Sequence, residues 1–363
     1  AVLVMCLLPN AGSFGMTVST SMIFGLLSLM LLDTSINMAM QPFKMMVGDM
    51  VNEKQKGLAY SIQSFLCNAG SLAGYLFPFL FAAVGISKVA PEGVIPDSVI
   101  YSFYIGAFIL ILCVVYTTAK VKEYPPALYA EYHGIADDTR TEKVGVFTLL
   151  RRAPKAFWTV GLVQFFCWSA FMFMWTYTNG AIAANVFDAP VVERVIDGMN
   201  RVVLDTSSVE YQTAGDWVGV YFAVQAVGSV IWAAVIPLFK NRRFVYSLSL
   251  FLGAAGFIST FFMHDVYALF VSFLLIGCAW AAMLALPFTI LTNSLSGGHM
   301  GTYLGLFNGT ICVPQIVAAA TGGLILRALT PADGLASEGS MLLLAGLLLL
   351  VGTCCVVFVR EQK

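Results

Sequence analysis

The chain has 363 residues, 59% of them hydrophobic and only 11% charged, and carries a formal net charge of −1. A soluble domain carries about 25% charged residues, so no soluble fold covers this much apolar side chain, and hydrocarbon is the solvent for most of the molecule. The balanced charge, with no basic run longer than Arg151-Arg152, excludes a nucleic-acid partner.

The chain opens at Ala1 inside the apolar run AVLVMCLL, which lacks the basic flank of a signal peptide and reads as the rest of a helix entered partway. Beyond it, spans are expected near 14–47, 57–84, 98–120, 156–181, 215–239, 243–263, 266–294, 301–328 and 339–360. Crossing a bilayer takes about 20 residues, and backbone groups in lipid are paired only within a helix or a closed barrel. The fold class is therefore all-α and polytopic. The first two of these spans exceed the required length, which implies tilt or protrusion.

The loops alternate in charge. One set holds Lys54, Lys56, Lys120, Lys122, Arg140, Lys143, Arg151, Arg152, Lys155, Lys240, Arg242, Arg243, Arg360 and Lys363. The other holds only Lys88, Arg194, Arg201 and Arg327. The basic set is expected in the cytoplasm, and the spans then alternate consistently, with the C-terminus inside. Residues 121–155 form a cytoplasmic connector between an N-terminal helical half, 1–120, and a C-terminal six-helix half, 156–363. Residues 182–214 form an outer loop whose acids mark a solvated amphipathic face.

The cysteines lie in apolar stretches without C-x-x-C spacing, and His133, His264 and His299 are far apart. Neither a disulfide framework nor a metal site is expected, and no cofactor. Chemistry must come instead from the few polar groups at membrane depth, which are functional candidates by default. Asp33, Asn37, Gln41 and Lys44 follow one another at intervals of four, four and three, which puts them on one helical stripe. Asp33 and Lys44 are separated by about 16 Å along the axis, so each needs a partner elsewhere: another helix, water or a ligand. Pro42 removes a backbone donor, and a kink is expected there; Asp49 follows at the cytoplasmic end. Gln63, Gln164, Gln225, Asn308 and Gln315 are further amides within spans. Amides both donate and accept, which suits sugar hydroxyls, and Trp168 and Trp175 offer faces for a pyranose ring. Amides and Trp without a catalytic triad or metal cluster favour a polar, uncharged ligand.

The segment LDTSINMAMQPFKMMVGDM resembles the signature of plant sucrose transporters and their solute carrier family 45 relatives, among the glycoside-pentoside-hexuronide:cation symporters of the major facilitator superfamily. Asp33, Asn37, Pro42 and Asp49 match that pattern, and Lys44 stands where the family has Arg. A second stretch, GTYLGLFNGTICVPQIVAA, is similar through Gly301, Leu304, Gly305, Asn308, Pro314 and Gln315, and Pro287-Phe288 fits the helix before it. The resemblance implies the twelve-helix major facilitator fold, with the first two helices and part of the third lacking here. It also implies proton coupling at Asp33 and substrate binding at Lys44. Lysine forfeits the bidentate fork of Arg, and FCWSAFMFMWTYTNGAIAANVF replaces the plant proteins' acidic motif, as in bacterial members.

The expectation is thus a proton-coupled symporter of a disaccharide such as sucrose or maltose. Asp33 would carry the proton, and Asn37, Gln41, Lys44, Gln63, Gln164, Trp168, Asn308 and Gln315 would form the sugar site at mid-membrane, with Asp49 at a cytoplasmic gate. Sodium coupling, a non-transporting sugar receptor and a polytopic membrane enzyme are the alternatives. A monomer in a bacterial inner membrane or a plasma membrane is expected; no glycosylation sequon lies in an outer loop, since Asn308-Gly309-Thr310 is within a span.

Overall fold

Apolar runs of this length have to pair their own backbone groups, and helices do so. The computed structural model describes residues 1–10, 18–52, 54–86, 95, 97–122, 125, 128, 145–196, 199–295, 300–330 and 334–359. In chain order the helices are α1 (Val2–Leu7), α2 (Val18–Met50), α3 (Lys56–Ala83), α4 (Asp97–Lys120), α5 (Val146–Arg152) and α6 (Lys155–Asn185). They continue as α7 (Val209–Val235), α8 (Arg242–Phe262), α9 (Leu269–Ser294), α10 (Met300–Phe307), α11 (Gly309–Leu329) and α12 (Glu338–Cys355). Among the described residues, 8 candidate spans are long and apolar enough to cross a bilayer. The chain is an integral, multi-pass membrane protein.

Local signals set the helix ends. The Ser208 side chain accepts from the Tyr211 amide and starts α7, and Asn241 accepts from the Phe244 amide and starts α8. The span expected at 301–328 is two helices, α10 and α11, which meet at Asn308. Between α6 and α7 lies an antiparallel hairpin, β1 (Val191–Ile196) and β2 (Met199–Leu204), in register from Val191–Leu204 to Ile196–Met199. The sequence reading has only a loop there. The hairpin signal is nonetheless present: two valine-rich runs flank Asp197-Gly198, a dipeptide that tight hairpin turns favour.

The chain forms two compact units, Ala1–Met46 with Ala73–Val146, and Val47–Leu72 with Phe147–Lys363. In the first, α1 packs on α4, and Asn10 Nδ2 donates to the Tyr104 hydroxyl at 2.7 Å. In the second, α12 packs on α6 and α8, α9 on α7 and α8, and α11 on α6. Phe171, Phe257, Phe273, Tyr221 and Tyr246 are fully buried there. Small residues let these helices approach: a Cβ on Gly228 would stand 2.5 Å from the Leu274 carbonyl, and one on Gly277 would stand 2.7 Å from the Ser229 nitrogen. The first half of α3 belongs to this unit. Its Ser64 hydroxyl donates to the Ala281 carbonyl of α9 at 3.3 Å, and Tyr60 packs on Phe288 at 6.3 Å.

Candidate functional site

The helix α2 continues through Pro42, so its backbone carries Asp33, Asn37, Gln41 and Lys44 on one face as the spacing predicts. Asn37 Nδ2 donates to the Asp33 carbonyl at 2.9 Å and to the Asp33 carboxylate at 3.1 Å. Asp33, expected to find its partner on another helix, in water or in a ligand, takes Asn37 one turn along its own helix. Asp33 is exposed. The side chains of Gln41, Lys44 and Asp49 lie outside the described residues, as do His133, His299 and most of the 121–155 connector.

On α6, Gln164, Trp168 and Trp175 fall at intervals of four and seven and share a stripe. Gln164 is 0% exposed, and neither its Oε1 nor its Nε2 has a hydrogen-bond partner. One turn on, Trp168 is 7% exposed, and its Nε1 is also unpaired. Trp280 of α9 faces this stripe, with its ring centroid 5.5 Å from Trp168, 5.7 Å from Trp175 and 5.0 Å from Phe171. Trp175 is the open member of the group, 40% exposed. The cluster thus offers aromatic faces and edges beside an amide and an indole N–H that lack partners.

The α11 helix runs alongside. A Cβ on Gly161 would stand 3.0 Å from Thr310 Cγ2, and the Ser169 hydroxyl lies 3.4 Å from the Pro314 carbonyl. Gln164 sits between those two levels, beside the segment that begins at Asn308. Asn308 Nδ2 reaches Cys312 Sγ at 3.7 Å, and its buried Oδ1 is unpaired. Gln315 is half-buried, one turn along α11 from Ile311, and Gln63 is half-buried on α3. The second unit therefore brings together Gln164 and Trp168 and lays the start of α11, with Asn308, beside them. Asp33 and Asn37 belong to the first unit.

Trp280 is the residue the sequence reading missed, because a single Trp in LLIGCAWAAMLA carries no pattern and its role depends on how α6 crosses α9. Asn68 is another: it is buried on α3, donates to the Ser64 carbonyl at 2.7 Å, and leaves its Oδ1 unpaired. Among the described residues, no group of His, Cys, Asp and Glu could hold a metal ion.

Residues 195–363 match the family model described as Major Facilitator Superfamily. A crystal structure of the E. coli fucose:proton symporter FucP, carrying a single substitution, superposes with a TM-score of 0.64 at 12% identity, over 99% of this chain and 82% of that one. A second FucP structure, a Major Facilitator Superfamily transporter in the outward conformation, gives 0.66 at 14% identity, over 99% and 81%. The chain has the major facilitator fold. No curated protein matches it. In that fold's terms, the aromatic–amide cluster on α6 and α9 lies within the part of the chain that folds as the second unit.

Proposed function

We propose that the protein is a secondary active transporter that carries a sugar, a disaccharide such as sucrose or maltose, together with a proton by alternating access. One observation carries the reading: the fully buried Gln164 amide has neither its donors nor its acceptor satisfied, next to the unpaired Trp168 indole. A buried amide without partners costs about 1–3 kcal/mol. A ligand that presents a hydroxyl, which donates and accepts at once, relieves that cost, while an ion needs a countercharge that an amide and an indole do not supply. The Trp168, Trp175 and Trp280 faces suit the C–H face of a pyranose ring. Asn308 and Gln315 add amides from α11, and Gln63 one from α3.

Asp33 is the proposed proton carrier, hydrogen-bonded to Asn37 and set in the stretch that resembles the sucrose-transporter signature. Lys44, Gln41 and Asn37 are the proposed sugar contacts on the same face of α2, with Asp49 at a cytoplasmic gate. In this topology the basic loops and the C-terminus face the cytoplasm, and the β1–β2 hairpin faces outward. The protein moves its ligand without changing it, so it is proposed as a carrier and not an enzyme, and no cofactor takes part.

The test is uptake of a panel of labelled disaccharides and monosaccharides into proteoliposomes under an imposed proton gradient. Accumulation that collapses with an uncoupler is the expected result. Binding without flux would indicate a receptor, accumulation driven only by a sodium gradient would indicate the other coupling ion, and no sugar response at all would refute the reading.

A further inference from the structure

The end of the second unit that carries the hairpin holds polar side chains that the sugar–proton reading does not use. Several are seated where a neighbouring helix has glycine. The Glu338 carboxylate, at the start of α12, occupies the space that a Cβ on Gly180 of α6 would take. The Tyr177 hydroxyl of α6 lies 2.7 Å from the corresponding point on Gly322 of α11, and Asn185 Nδ2 lies 2.6 Å from that on Gly339 of α12. Glycine at 180, 322 and 339 makes room for polar groups to enter the seams between helices.

An acid in the first turn of a helix ordinarily complements the dipole from the surface. Glu338 instead turns into the α6–α12 seam. The elements packed against α12 carry the titratable and charged groups that follow. Tyr177 of α6 interacts with it electrostatically. Past the end of α8, His264 Nδ1 is 2.9 Å from the Asn185 carbonyl, and Asp265 follows it. The last turn of α11 holds Arg327. Among the described residues, no ion pair or hydrogen bond reaches the Glu338 carboxylate. Glu338 is half-buried, and a carboxylate partly withdrawn into a helix seam without a cation beside it pays a desolvation cost for its charge, which a proton removes without a built coordination shell.

We propose that Glu338 is a second proton-exchanging site, distinct from Asp33, whose neutral form seats in the Gly180 notch and whose ionised form leaves it, so that the α6–α12 seam responds to pH. This inference stands apart from the sugar reading and survives its failure.

The test is the thermal unfolding profile of the purified full chain in detergent, measured from acid to neutral pH. In the wild type, stability is expected to fall as pH rises through the titration of Glu338. Glu338→Gln, the neutral isostere, is expected to hold the wild-type acid-side melting temperature across the range. The two profiles should diverge by up to about tenfold in the folded-to-unfolded ratio per pH unit, the slope of one proton. Gly180→Ala, which fills the notch, is expected to abolish the same limb, whereas Glu338→Asp and His264→Gln are expected to keep it. Superimposable wild-type and Glu338→Gln profiles, or loss of the limb in His264→Gln alone, would overturn the proposal. If Glu338→Gln fails to fold, the Gly180→Ala and Glu338→Asp profiles decide the matter by the same criterion.

Discussion

Gln164 sits in a position where leucine would fold more favourably. With both ends of its amide buried and unpaired, it costs stability that a hydrocarbon side chain would not. Gln164→Leu is therefore expected to raise the melting temperature of the ligand-free protein by the equivalent of about 1–3 kcal/mol. The same variant is expected to weaken sugar binding about tenfold or more, since one hydrogen-bonded pair lost to a ligand is worth roughly 1.4 kcal/mol. Thermal unfolding and a binding isotherm check the two halves together; a less stable protein with unchanged affinity would assign Gln164 to the core. At this scale the sequence was readable where a residue type speaks for itself. A Gln, an Asn or an Asp inside an apolar run stands out, so Asp33, Gln164 and Asn308 could be singled out. The Asn37–Asp33 hydrogen bond was not anticipated, although the four-residue interval permits it. Trp280 and Asn68 could not be assigned in the same way, because their surroundings depend on how α9 crosses α6 and α3, which the sequence does not state.

Among the elements, the crossing of α7 and α9 rests on glycine against backbone. An alanine at 277 would overlap the Gln225 carbonyl and crowd the Ser229 nitrogen. Gly277→Ala is expected to destabilise the second unit by about 1–3 kcal/mol through overpacking. Gly323→Ala on α11, where a Cβ would meet nothing within 4 Å, is expected to be near neutral. Equal melting temperatures for the two variants would contradict this account of the crossing. Helix existence and rough extent followed from apolar runs. The extension of α6 to Asn185, the early start of α7 and the hairpin between them were not anticipated. There the sequence is charged and valine-rich, and the charge drew the reading towards a loop although the alternation and the Asp197-Gly198 pair favour strands.

For the whole molecule, the alternating loop charges make a topology prediction. In intact cells, a cysteine introduced at Ser207, beside the hairpin, is expected to react with a membrane-impermeant thiol reagent added outside. One introduced at Lys240, before α8, is expected to react only after permeabilisation, each measured above the background of the native cysteines. The opposite pattern would invert the proposed orientation. The fold class was legible because apolar runs of about 20 residues pair their backbone groups in a bilayer as helices, whereas the meeting of amide and indole groups in the second unit needed coordinates. The central claim is that sugar and proton move together through Asp33. It is tested most directly by recording the internal pH of proteoliposomes when a transported disaccharide is added outside without any imposed gradient. The wild type is expected to acidify the lumen, and Asp33→Asn to leave it unchanged while still binding the sugar. Acidification of equal size in Asp33→Asn, or sugar entry without any pH change in the wild type, would contradict the account.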